Sequence, residues 1–201
     1  GKKDLPVLVR TIAVDVLRMM ELEGSCLLRF LTNLKHVEIP EGIESLAKSC
    51  FFDKRGIISV VFPKSLKEIG SRAFRNCINL ERVVFQGEEV QIREDAFKNC
   101  SSLRYICTGE GETYELSGIH RLQGEQTTKP VQAIHRQVLG NFRISGTILL
   151  KYLGSEPRVA VPDGITRIAG DAFAGNEAID RVILPESVRE IGAEAFRNCL
   201  L

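Results

Sequence analysis

The sequence predicts a repeat solenoid, mainly β or α/β in class, with short parallel strands and a hairpin-containing insert that interrupts it. Three observations lead there. A motif returns at a spacing of twenty-three residues. Each copy joins a short β-type run to a proline that ends it. The register of the copies breaks once, in the middle of the chain. Composition agrees with a packed core, since 44% of the 201 residues are hydrophobic and 26% are charged, which is neither disordered nor fibrous. Lys and Arg number 27 against 26 Asp and Glu, so the chain has no general electrostatic claim on nucleic acid or an anionic membrane. No run of about eighteen apolar residues occurs, and no membrane insertion is expected.

Residues 1–15 are expected to form an N-terminal cap segment, with Leu8, Ile12, Val16, Leu17 and Met20 spaced to line one helix face. Lys2 and Lys3 precede this stretch, but Arg10, Asp15 and Arg18 interrupt it, which makes a poor export signal. Gly1 is not a natural initiator, so this weakness does not place the protein in the cytoplasm.

The first array is expected over residues 16–107. Its clearest unit, FPKSLKEIGSRAFRNCINLERVV from Phe62, repeats from Phe85 as FQGEEVQIREDAFKNCSSLRYIC and precedes itself from Ile39 as IPEGIESLAKSCFFDKRGIISVV. Phe51, Phe74 and Phe97 fall on one position, as do Cys77 and Cys100. Residues 16–38 read as a degenerate first unit: Gly24 falls opposite Gly70, Leu28 opposite Phe74, Leu31 opposite Cys77 and Leu34 opposite Leu80, while Glu23 stands where Ile69 does. Terminal repeats are expected to be atypical. In each unit a run such as Leu80 to Phe85 has the content of a short strand, a proline such as Pro63 ends it, and Gly70 marks a turn. One unit cannot bury its apolar side alone, so the copies must stack, strand on parallel strand, with a more irregular face opposite.

Residues 108–160 are expected to be an irregular insert. Val161 lies 122 residues after Ile39, five periods plus seven, so the second array is out of phase with the first. The Gly-, Thr- and Glu-rich part from Thr108 reads as loop, and 109–129 as the softest part of the chain. VQAIHRQVLGNF reads as a short helix or a degenerate half-repeat, and FRISGTILLKYLGSEPRVAVP as one hairpin or two, turning at Ser145-Gly146 and Gly154-Ser155. This insert is expected to cap or bridge the ends of both arrays. The second array, 161–201, begins VPDGITRIAGDAFAGNEAIDRVI and stops in mid-repeat, as a truncated array would.

The string IPxGIxxI, then AFxxC, then LxxVxI resembles the BspA-like leucine-rich repeats of bacterial and some protist proteins. Pro63 to Val84 and Pro162 to Ile183 are its best copies. Gln86 for proline, and Lys54 and Asn176 for cysteine, depart from it. The resemblance implies a leucine-rich repeat fold, a protein-interaction role and a secreted or cell-surface location.

Chemistry-bearing motifs are absent. No GxSxG, HExxH, GxGxxG or P-loop pattern occurs, no CxxC pair occurs, and His36, His120 and His135 are scattered. No catalytic residue, cofactor or metal is therefore assigned. Three of the six cysteines, Cys77, Cys100 and Cys199, share one repeat position, which small buried thiols explain without disulfides. The candidate site is the outward side of the strands, where alternate residues face away from the core. One outward column holds His36, Ser59, Arg82, Tyr105 and, in the second array, Arg181. The other holds Glu38, Val61, Val84, Cys107 and Ile183, unusually apolar for a solvated face. The expected function is non-catalytic binding of a protein partner through this face, with a structural spacer as the alternative.

Overall fold

A computed structural model describes residues 18–109, 111–116 and 128–200. The expected cap helix over 1–15, His120 and most of the soft stretch 109–129 lie outside the described residues.

Every twenty-three-residue unit makes one turn of a solenoid and contributes two strands. The longer strands are β3 (His36–Glu38), β5 (Ser59–Phe62), β7 (Arg82–Phe85) and β9 (Tyr105–Cys107), paired parallel in that order. Val37, Val60, Val83 and Ile106 fall in register along this sheet, and each is buried. The second strand of each turn has two residues: β4 (Ser45–Leu46), β6 (Glu68–Ile69) and β8 (Gln91–Ile92). Gly70 follows β6 for a reason other than a turn. A Cβ there would stand 2.5 Å from the Leu46 carbonyl oxygen of the preceding turn, so the glycine permits close approach of two backbones.

The side opposite the long strands is more regular than the sequence reading expects. Ser49, Arg72 and Asp95 have positive φ, and so do Asp53, Asn76 and Asn99, each set spaced by twenty-three. These left-handed residues, several of them the Asn and Asp that tolerate the region best, aim backbone N–H groups at the next turn. Phe51 N–H donates to Ala73 O at 2.8 Å, Phe74 N–H to Ala96 O at 2.7 Å, and Asn76 N–H to Lys98 O at 3.0 Å. The turns are therefore laddered like the strands.

Inside, Phe30, Phe51, Phe74 and Phe97 form a continuous stack with centroids 4.8, 4.6 and 5.1 Å apart. Phe62 and Phe85 make a second column. Phe51, Phe74 and Phe97, and Phe173 at the equivalent position of the second array, are buried. Phe196 is half-buried, because it has Phe173 on one side and no further described turn on the other. All six cysteines are free thiols. Cys77 donates to Phe51 O and Cys100 to Phe74 O, each at 3.1 Å, and Cys199 to Phe173 O at 3.2 Å. The shared position thus selects a small apolar group that also donates a hydrogen bond across the stack. Burial pushes the Cys77 thiol up to about 12 and the Cys100 thiol well above its ordinary value.

The first unit departs from the phase read in the sequence. β1 (Met20–Glu23) and β2 (Cys26–Phe30) form an antiparallel hairpin, turning at Gly24 with φ +58. β2 then pairs parallel with β4, setting Leu27 beside Leu46. Leu27, not Glu23, takes the Ile69 position, and Phe30, not Leu28, enters the phenylalanine stack. Leu31 and Leu34 are exposed. The offset to the next unit grows from nineteen at Leu27 to twenty-one at Phe30 and twenty-three at Val37. A fixed-period alignment misplaces such a unit, because the hairpin return is shorter than a full repeat half.

The middle of the chain resolves into three devices. β10 (Thr113–Glu115), read as loop in the sequence, folds back antiparallel on β9 and ends the long-strand sheet. α1 (Lys129–Leu139) buries Val131, Ile134, Val138 and Leu139 and packs against β8. Its Gln137 supplies what another turn of backbone would: the side-chain carbonyl accepts Phe97 N–H at 2.9 Å and the amide donates to Arg93 O at 2.8 Å. Next, β11 (Phe142–Ser145) and β12 (Ile148–Tyr152) form one hairpin, turning at Gly146. Gly154-Ser155 is not a second hairpin. The chain passes through it to β13 (Arg158–Ala160), which pairs parallel with β15 (Arg181–Ile183), while β12 pairs parallel with β14 (Arg167–Ile168) and β14 with β16 (Glu190–Ile191).

This arrangement accounts for the break in phase. Gly24 and Gly146, Leu27 and Leu149, Val37 and Val159, Pro40 and Pro162, and Phe51 and Phe173 are each 122 residues apart. The second array is a fresh copy of the beginning of the first, starting hairpin included. Two cores result, with Ile144 packed against both. Glu156 joins them on the polar side, accepting from Arg75 at 2.6 Å and pairing with Lys98 at 2.8 Å, and Arg104 meets Asp163 at 3.1 Å. Burial alone would raise the Glu156 carboxyl; the Lys98 hydrogen bond and the Arg75 charge outweigh it and hold it below the ordinary carboxylate range.

Candidate functional site

The parallel register sets the outward residues of the first array in two columns. His36, Ser59, Arg82 and Tyr105 are neighbours in one, and Glu38, Val61, Val84 and Cys107 in the other. Adjacent strands are about 4.8 Å apart, so each side chain can engage the next. His36 Nδ1 and Ser59 Oγ are hydrogen-bonded at 2.8 Å. The Arg82 guanidinium lies 5.0 Å from the Tyr105 ring centroid and reaches Cys107 Sγ at 3.8 Å, a cation–π arrangement. Val61 and Val84 are half-buried between these polar groups. β10 extends the face by one strand, with Thr113 beside Cys107 and Glu115 beside Tyr105. Sequence reasoning missed this strand. The Thr-Tyr pair after Gly111, whose φ is +84, was the available sign of it.

Arg181 and Ile183 do not continue those columns. They lie on β15 in a separate two-stranded sheet, beside Arg158 and Ala160 of β13. That sheet and the turn side of the first array line a shared cleft of about 150 Å³. Phe52, Asp53, Arg55, Asn76, Ile78 and Asn99 come from the first array. The sequence reading assigns no role to Arg158 or Ala160, although they stand 122 residues after His36 and Glu38.

Among the described residues no group of His, Cys, Asp and Glu is placed to hold a metal ion, and no helix is long and apolar enough to cross a membrane. His135 sits on α1, far from His36 in the chain, and burial lowers its basicity.

Comparison with known proteins finds the BspA type leucine rich repeat region, in six copies, matching residues 24–117 and 151–201. No curated protein matches. Among solved structures, a T. pallidum leucine rich repeat protein is 21% identical with a TM-score of 0.39, over 90% of this chain and 64% of that one. A leucine rich cell surface protein from Faecalibacterium prausnitzii is 20% identical with a TM-score of 0.39, over 91% and 47% respectively. A leucine-rich repeat protein from Bacteroides ovatus is 18% identical with a TM-score of 0.33, over 88% and 47%. The chain therefore spans less than two thirds of the length of each of these structures.

Proposed function

The chain belongs to the BspA-type leucine-rich repeat family, and from that premise we propose that it is a non-catalytic protein-interaction module whose first array presents the long-strand sheet to a protein partner. The observation that carries this reading is the outward surface of β5, β7 and β9. There Val61 and Val84 are flanked by an Arg82–Tyr105 pair held in one geometry. Partly apolar, polar-rimmed surfaces mark contact sites, and Arg and Tyr are favoured anchors of protein interfaces. The two side chains already pack against each other without a partner, and such preorganisation lowers the entropic cost of binding. A location at a cell surface is proposed on family grounds.

Arg82→Ala and Tyr105→Ala test the proposal in a solid-phase assay on immobilised extracellular-matrix proteins and bacterial surface extracts. Each variant is expected to weaken binding while its melting temperature stays nearly unchanged. A drop in melting temperature with binding intact would assign the pair to internal packing. A spacer role is the second reading, favoured by the ion pairs of Glu156 that tie the two arrays; binding unaffected by either substitution would support it.

A further inference from the structure

We propose that the cleft between the two arrays binds an acidic peptide segment of a protein partner, with Arg158 and Arg181 as its carboxylate-binding pair. The proposal rests on reading the chain as an interaction module, but it concerns a different surface from the Arg82–Tyr105 pair. Arg158 and Arg181 are register neighbours on β13 and β15, so two guanidinium-bearing residues stand on adjacent parallel strands about 4.8 Å apart. Like charges placed directly opposite are destabilising. The corresponding column of the first array is internally satisfied, because His36 bonds Ser59 and Arg82 lies over Tyr105. In the second array neither guanidinium has an ion pair or hydrogen-bond partner among the described residues, whereas the other two charged residues of the cleft, Arg55 and Asp53, pair with each other.

The rest of the lining points to the same class of ligand. The charged residues of the cleft are Arg55, Arg158, Arg181 and Asp53, and Asp53 is engaged by Arg55 at 3.0 Å. An excess of positive charge therefore faces a concave space, and a carboxylate is the planar partner that guanidinium forks fit best. Exposed Phe52 and Ile183, with Ala160, line the cleft beside the arginines. That apolar margin favours a peptide carrying an aliphatic side chain next to its acidic one, over a sulfated glycan or polyphosphate, which would use cations alone. The cleft volume of about 150 Å³ suits one or two side chains rather than a folded domain.

The probe is a twelve-residue peptide of alternating Asp and Leu, titrated by fluorescence anisotropy against the whole chain. Its Asn-for-Asp counterpart and heparin serve as comparison ligands, and R158Q/R181Q and R82A/Y105A as comparison proteins. The acidic peptide is expected to bind the unmodified chain, with affinity falling about tenfold or more in R158Q/R181Q and in the Asn counterpart. Binding should also weaken as salt is raised, and R82A/Y105A should leave it unchanged. Both arginines are exposed, so unchanged melting curves for R158Q/R181Q are expected to accompany the loss. Equal binding by R158Q/R181Q, or no binding of the acidic peptide, overturns the proposal. Heparin binding that depends on the two arginines, without peptide binding, overturns it in favour of a polyanionic glycan. If matrix-protein binding is lost in R82A/Y105A while the peptide result is negative, the cleft proposal fails and the interaction reading stands.

Discussion

Replacing Phe74 by alanine should remove the central member of the stack that holds the first array together. Its side chain is fully buried and contacts three rings: Phe51 at 4.6 Å, Phe97 at 5.1 Å and Phe62 edge-on at 5.7 Å. Deleting a buried phenylalanine costs about 3–5 kcal/mol, and more where the surroundings cannot collapse into the space. Collapse is difficult here because the hydrogen bonds of Phe74 N–H to Ala96 O and Ala73 N–H to Gly70 O hold the flanking backbone in place. The upper half of that range is therefore expected. Phe196 supplies an internal comparison: it occupies the equivalent position, is half-buried and has Phe173 at 5.0 Å as its ring partner. Phe196→Ala should cost about 1–2 kcal/mol, in proportion to the smaller area it removes from water. Urea unfolding followed by far-UV circular dichroism measures both. With a slope of about 2 kcal/mol per molar urea, the Phe74 variant should unfold about 2 M earlier. A shift below about 0.5 M, or equal shifts for the two variants, would refute the stacking argument.

Three further outcomes follow from the same geometry. Glu156→Gln should cost about 1–3 kcal/mol. The Glu156 carboxyl is held below its ordinary range in the fold, so its contribution is fully present above the unfolded value of about 4.3 and disappears as pH falls through the lowered folded value. The stability gap between the unmodified chain and the E156Q variant should thus be constant above the ordinary carboxylate range and close as the pH falls below it; a gap that widens in acid would contradict the ion-pair account. Gln137→Leu should destabilise the chain by about 1–3 kcal/mol by leaving the Phe97 N–H without its acceptor, and amide exchange at Phe97 should accelerate selectively. Native iodoacetamide labelling should spare Cys50, Cys77 and Cys100, whose thiols burial makes hard to ionise, while denaturation without reductant should release all six thiols; an oxidised pair would break that expectation.

The repeat period, the proline that closes each long strand and the identical apolar positions of Phe51, Phe74 and Phe97 were legible because they follow from a local rule. A unit of twenty-three residues that cannot bury its own apolar side must meet the same contact on the next copy, so the same residue type recurs. The outward columns were legible for the same reason, since parallel register follows from the period. Where the chain departs from repetition, the sequence underdetermined the outcome. Glu23 looked like a flaw in the first unit until the hairpin of β1 and β2 brought Leu27 beside Leu46. Gly154-Ser155 looked like a turn, but β13 finds its partner in β15, twenty-three residues on. Gln137 carries no local pattern that announces a cap; its role exists because Phe97 N–H and Arg93 O are left unpaired at the end of a stack. The cleft has the same origin. Arg158 and Arg181 are ordinary strand residues in the sequence, and what faces them is set by how the second array sits against Phe52, Asn76 and Asn99. Periodic contacts are encoded within one unit and its copy, whereas ends, caps and clefts depend on residues that meet only after both arrays have formed.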